Sequence, residues 1–139
     1  MPSLDFAFVC DYARQDAGPV HALAIGIDTV YAPDVPWGQN LGVVARFTFT
    51  RNECGRPHRV ELIAQDEDGQ RLVHLTGTLE PQWDEGLPPG WSVGAMLTLN
   101  FGLPLPQFGL YAIEILLNDS SVKTLSLRVM PPTAGPSVG

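Results

Sequence analysis

The segment Arg59-Val60-Glu61-Leu62-Ile63-Ala64-Gln65-Asp66-Glu67-Asp68-Gly69-Gln70-Arg71-Leu72-Val73-His74-Leu75-Thr76-Gly77-Thr78-Leu79 decides the fold class. It reads as a β-hairpin. Asp-Gly between two alternating runs is the strongest short-range hairpin signal, because a type I′ turn needs φ > 0 at both central residues. Gly69 adopts that conformation freely, and Asp68 tolerates it better than most residues. With Asp68-Gly69 as a two-residue loop, Glu67 faces Gln70, Ala64 faces Val73, Leu62 faces Leu75 and Val60 faces Gly77. The other face pairs Ile63 with His74, Glu61 with Thr76 and Arg59 with Thr78. One face is then apolar and the other mostly polar. A one-residue slip would send each side chain to the wrong face, so periodicity and turn chemistry define one register. A lone hairpin is marginal, and this one needs a second sheet over Val60, Leu62, Val73 and Leu75.

The rest of the chain repeats this grammar. Upstream, Phe6 to Ala13 reads as a strand with Phe6, Phe8, Cys10 and Tyr12 on one face, followed by a turn at Asp16-Ala17-Gly18-Pro19. Ala22 to Tyr31 is apolar on both sides and reads as one central, well-covered strand, with Gly26 marking a bulge or a close backbone approach. Ala32 to Asn40 reads as a loop with Trp37 as a plug. In Leu41 to Arg51, Val43, Ala45, Phe47 and Phe49 alternate with Val44, Arg46, Thr48 and Thr50. Downstream, Glu80 to Ser92 is irregular and holds Trp83 and Trp91, and Val93 to Phe101 is a strand. Pro104 and Pro106 each remove a ladder donor, so Gly102 to Gln107 reads as a crossing between sheets. A last hairpin, entered through Gly109 and Tyr111, sets Tyr111, Ile113, Ile115 and Leu117 against Leu125, Leu127 and Val129. Joining those faces needs an even pairing sum, read here as a three-residue loop Asp119-Ser120-Ser121. About seven or eight strands and no amphipathic helical pattern predict an all-β fold, a single antiparallel β-sandwich of immunoglobulin-like architecture over residues 1–130. Residues 131–139 are expected to be a disordered tail.

Composition narrows the function classes. The chain has 139 residues and a formal net charge of −7. Length fits one domain able to bury a core without disulfides. The acidic balance argues against nucleic acid and against anionic membrane surfaces. No run of 18 apolar residues suggests a membrane helix, and the N-terminus lacks a basic-then-apolar leader, so a cytoplasmic location is expected. Cys10 and Cys54 are then free thiols.

Chemical motifs are sparse. Asp66 and Asp68 are weak candidates for Ca²⁺, which wants several hard oxygens. They would need help from Asp119 or Asp84-Glu85 at the same end of the sandwich. His21, His58 and His74 show neither H-x-H nor H-E-x-x-H spacing, and neither cysteine has a catalytic signature. No cofactor is expected. Trp37, Trp83 and Trp91, all expected in loops, either seal the ends of the sandwich or serve as binding aromatics. Asp68, Gly69, Gly109 and Tyr111 are assigned to turns.

Several short motifs resemble those of an uncharacterised bacterial β-sandwich family. They are Cys10-Asp11-Tyr12-Ala13, Ile25-Gly26, the Glu53/Gly55/His58 turn, Asp66-x-Asp68-Gly69, Asn100-Phe101-Gly102 with Pro106, and Gly109-x-Tyr111. The similarity runs over residues 5 to 130. It implies a compact β-sandwich and carries no activity or catalytic residue with it.

The expectation is therefore a non-enzymatic binding or structural module acting through a protein partner or by self-association, the latter through Thr124 to Val129 if that arm is a sheet edge. The alternatives are a carbohydrate- or calcium-linked module using Trp37, Trp83 or Trp91, and a hydrolase built from loop carboxylates with His58 or His74.

Overall fold

The structure is a computed structural model that describes residues 2–15 and 19–132. Within them lie ten strands: β1 Ser3–Cys10, β2 Tyr12–Gln15, β3 Val20–Leu23, β4 Thr29–Tyr31, β5 Trp37–Phe49, β6 His58–Gln65, β7 Arg71–Leu79, β8 Val93–Leu105, β9 Gly109–Leu117 and β10 Ser120–Met130. Two sheets face each other, one ordered β1-β5-β8 and the other β4-β10-β9-β6-β7. The hairpin β2-β3 forms a small third layer of its own. The all-β sandwich is as expected, with ten strands instead of seven or eight. It is also not wholly antiparallel, because β4 runs parallel to the end of β10.

The core is built by alternation. Val43, Ala45, Phe47 and Phe49 of β5 meet Val60, Leu62 and Ala64 of β6 and Tyr111, Ile113, Ile115 and Leu117 of β9. Each fully buried Val, Leu, Ile or Phe side chain among them contributes about 1.5–3 kcal/mol by leaving water. The register of the β6-β7 hairpin is the expected one from Arg59↔Thr78 to Ala64↔Val73. Its turn differs. Asp66 N donates to Gln70 O and Gly69 N donates to Asp66 O, which makes a three-residue loop, and the ladder shifts between Ala64 and Gln65 to restore the register. Only Gly69 has a positive φ there, so Asp68 needs no unusual backbone. The Asp66 carboxylate selects this turn by accepting from Asp68 N at 3.0 Å and Gln70 N at 2.9 Å.

The last hairpin shows the converse. Asn118 (φ 49°) and Asp119 (φ 71°) form the two-residue turn with both residues left-handed. A register shift at Ser121/Lys123 then gives the even sum, so that Leu125 faces Ile113 and Leu127 faces Tyr111. Asn and Asp are the non-glycine residues best able to do this. Its Asn118 also binds the first hairpin, through Asn118 N to Arg59 O (2.8 Å) and Arg59 N to Asn118 Oδ1 (3.0 Å).

Three further elements depart from expectation. Ala22 to Tyr31 is not one central strand. Ala24 (φ 57°) and Gly26 (φ 85°) turn the chain between β3 and β4, leaving Leu23 and Ile25 in solvent. Trp37 begins β5 instead of sitting in a loop. Strand β8 runs on through Pro104 to Leu105, which an edge strand permits because its outward side needs no donor. The crossing to the second sheet follows at 106–108. The β10 arm is a partial edge, since β4 pairs only with Arg128–Met130. Of the expected turn at 16–19, residues 16–18 lie outside the described residues. So do residues 133–139 of the expected tail.

Candidate functional site

The Cys10-Asp11-Tyr12-Ala13 stretch is bent, and the bend builds the most distinctive surface of the molecule. Strand β1 ends at Cys10, and the backbone turns at Asp11 so that β2 climbs over the outer face of the three-stranded sheet. Val9 O accepts from Gly26 N (2.9 Å) and Ile27 N (3.0 Å), and Asp11 N donates to Leu23 O (2.9 Å). Asn100 of β8 then acts as a substitute strand. Its Oδ1 accepts from Ala13 N (3.0 Å) and its Nδ2 donates to Ala13 O (2.7 Å). Gly42 makes this approach possible, since a Cβ there would lie 2.8 Å from Asn100 Oδ1 and 3.0 Å from Cys10 Sγ. Beneath the hairpin, Cys10, Ala13 and Val44 form a small second core with Phe8, Val20, Ala22 and Met96 around it. Cys10 is fully buried in this packing, and burial, helped by the Asp11 carboxylate, pushes its thiol above its ordinary value.

Alternation sends the other face of the hairpin outward. Tyr12 pairs with Leu23 and Arg14 with His21. Tyr12 is 52% exposed, Leu23 65% and Ile25 63%. Tyr12 forms a ridge between two concavities. One, of about 560 Å³, is lined by Tyr12, Arg14, His21, Leu23 and Ile25. The other, of about 360 Å³, is lined by Asp11, Tyr12, Asn40, Phe101 and Gly102. The bend removes Tyr12 from the face it was expected to share with Phe6, Phe8 and Cys10. No periodicity in the sequence announces that change.

The tryptophans separate into two ends. Trp37 pairs with Leu105 at one end of the β5-β8 ladder, is 39% exposed, and donates from Nε1 to Gln39 Oε1 (3.2 Å). Trp83 and Trp91 meet at the other end, lining a cleft of about 240 Å³ with Arg51 and Asn52.

The remaining candidates have structural partners. Asp66 is buried and its Oδ1 serves the turn. Asp119, offered as its helper for Ca²⁺, lies at the far end of β6 on Arg59 (2.7 Å), and Glu85 is paired with Arg51 (3.1 Å). Among the described residues, no three His, Cys, Asp or Glu side chains are placed to hold a metal ion. His58, at the start of β6, is buried. Its Nδ1 accepts from Asn118 Nδ2 (2.9 Å), so its proton sits on Nε2, 2.6 Å from Glu53 O. Glu53 in turn accepts from Thr50 N (2.8 Å) and Thr50 Oγ1 (3.0 Å). Tyr111 hydroxyl donates to Gln107 O (2.5 Å), a corner of the kind found in immunoglobulin-like sandwiches. Gly109 has φ +138° and receives the Glu67 carboxylate, which accepts from Leu110 N (2.6 Å); a Cβ there would lie 2.6 Å from Glu67 Oε1.

One histidine does meet a carboxylate. His74 Nε2 lies 2.7 Å from Glu61 Oε2, while Arg59 holds Glu61 Oε1 at 2.6 Å. The Arg59 hydrogen bond, then that of His74, keeps the Glu61 carboxyl below its ordinary value. Both oxygens are thus committed to cationic or donor neighbours across β6 and β7, on the outward side of the sheet. The His74–Glu61 contact ties β7 to β6 beside their paired ladder.

Fold and surface together define an all-β sandwich that carries a clamped, apolar-faced hairpin as a third layer. The chain belongs to a family of unknown function, DUF6941, whose model matches residues 5–130. A comparison with curated proteins gives no match. Among the described residues, no helix is long and apolar enough to cross a membrane.

Proposed function

We propose that the chain is a non-enzymatic docking module that engages a protein partner through the outward face of β2-β3. The observation that carries this is the contiguous exposure of Tyr12, Leu23 and Ile25 on an element whose opposite face is packed and clamped. A single exposed Leu needs no explanation, but a cross-strand Tyr-Leu pair with an Ile beside it leaves an apolar patch facing water. A preorganised hairpin also loses little entropy on binding, because Asn100 and the small core already fix it. Tyrosine is among the residues that dominate interface energetics. The titratable side chains support the same reading, since His58, Glu53, Asp66, Glu67 and Glu61 all serve local structure.

A photo-crosslinking residue at position 23, introduced in the natural host, tests this against the same residue at Thr76 on the exposed β7 edge. A discrete protein adduct from position 23 alone is expected. No adduct, or the same adducts from both positions, contradicts the reading.

A further inference from the structure

A separate cleft lies at the other end of the sandwich. We propose that Trp91 and Asn52 form a binding site for a neutral saccharide, one ring of which stacks on the Trp91 indole. The cleft, about 240 Å³, is floored by Thr50, Arg51 and Asn52 and walled by Trp83 on one side and Pro89-Gly90-Trp91 on the other. Its two walls differ in kind. Trp83 is half-buried, and the Arg51 guanidinium lies 5.8 Å from its ring centre, held there by Glu85 at 3.1 Å. That ring face is occupied. Trp91 is 59% exposed and is presented by consecutive turns, with Leu87 N donating to Asp84 O (3.0 Å), Gly86 N to Asp84 Oδ1 (2.9 Å) and Trp91 N to Pro88 O (3.3 Å).

Charge decides the ligand class. An anion finds Arg51 already paired with Glu85 and approaches a molecule of net charge −7. A cation finds the Trp83 face already taken by a guanidinium, which also repels it, so only the single Trp91 ring is left and no aromatic cage can close around it. A neutral ligand meets neither penalty. The walls offer it aromatic and proline carbon, and the floor offers one flexible polar group. Thr50 hydroxyl is spent on Glu53, and Asn52 O is held by Arg56 (2.5 Å). Asn52 lines the cleft, and among the described residues its side-chain amide has no protein hydrogen bond, so a donor and an acceptor are free to turn to a ligand there. A ring with an apolar face and a hydroxylated edge matches that set, and the volume suits a single ring.

The test titrates the full chain with neutral methyl glycosides and short oligosaccharides of hexoses and N-acetylhexosamines. Tryptophan fluorescence and the indole Nε1–H resonances are followed. A saturable response assigned to Trp91 is expected, weakened about tenfold or more by Trp91→Ala, as for truncation of a stacking anchor. Asn52→Ala weakens it severalfold, and Trp37→Ala, at the opposite end, leaves it unchanged. Thermal unfolding of each variant confirms that it folds. No Trp91 response across the panel overturns the proposal. So does a response that survives Trp91→Ala, or one given only by a proline-rich peptide or by charged ligands.

Discussion

Replacing Asn100 by Ala removes the clamp that holds β2-β3 on the sheet. Two hydrogen bonds are lost together, at 2.7 and 3.0 Å, each worth about 1 kcal/mol net. Their partners are the backbone N–H and C=O of Ala13, a residue only 1% exposed, so both groups lose a partner where water is scarce. Asn100 itself is exposed, and water entering the vacated space limits that penalty. The expected cost is about 2–3 kcal/mol of global stability. It is read from urea unfolding followed by far-UV circular dichroism. Amide exchange localises it, because protection at Ala13 falls by far more than protection in β5 or β9. Asn100→Asp keeps the acceptor, sets an anion against Ala13 O, and loses at least as much. A cost below about 0.5 kcal/mol, with Ala13 protection unchanged, would refute the reasoning; surface substitutions without a structural role fall in that range.

Other outcomes follow from the same contacts. Tyr111→Phe deletes a buried hydroxyl that donates to Gln107 O and accepts from Gln107 N (3.2 Å), and costs about 1–2 kcal/mol in chemical denaturation. Glu61 has a folded value below its ordinary 4.5, so its contribution is full above that pH and is lost as pH falls through the folded value. The stability gap between the native protein and Glu61→Gln is therefore expected to close as the pH falls below 4.5, in a series of urea midpoints. A gap that stays constant would contradict the pairing with Arg59 and His74. Cys10 is fully buried, with its thiol pushed up by burial, so a thiol reagent at pH 8 reacts with it about a hundredfold slower in folded than in urea-unfolded protein. Cys54, half-buried, is titrated first.

Much of the fold is legible in the sequence because alternation survives wherever a strand has one wet face. Val60, Leu62, Val73 and Leu75 identify their sheet and their partners unaided. The turns are harder, because Asp68-Gly69 supports two loop lengths. The choice falls to Asp66, whose carboxylate closes the longer one. Asn118-Asp119 carries the two-residue signal equally well, yet Ser120 and Ser121 mask it. Apolar content misleads between Ala22 and Tyr31. Leu23 and Ile25 look like core but face solvent, since Ala24 takes a left-handed backbone that no propensity announces. The candidate surface is legible least of all. Tyr12 reaches it through a bend at Asp11, and that bend depends on Asn100, 87 residues from Ala13. Two of the short motifs read in the sequence meet at that junction, through Cys10 and Ala13 of the first and Asn100 of the second.

Docking through the hairpin is tested most directly by paired affinity capture from the natural host. The tagged native chain and the Leu23→Ser/Ile25→Ser variant are compared, with equal melting temperatures verified first. Both positions are exposed, so the substitutions leave the core intact. A partner recovered in stoichiometric amount with the native chain and depleted at least about tenfold with the variant is the expected result. Equal recovery with both chains, or no partner with either, would contradict the assignment of this face as the docking surface.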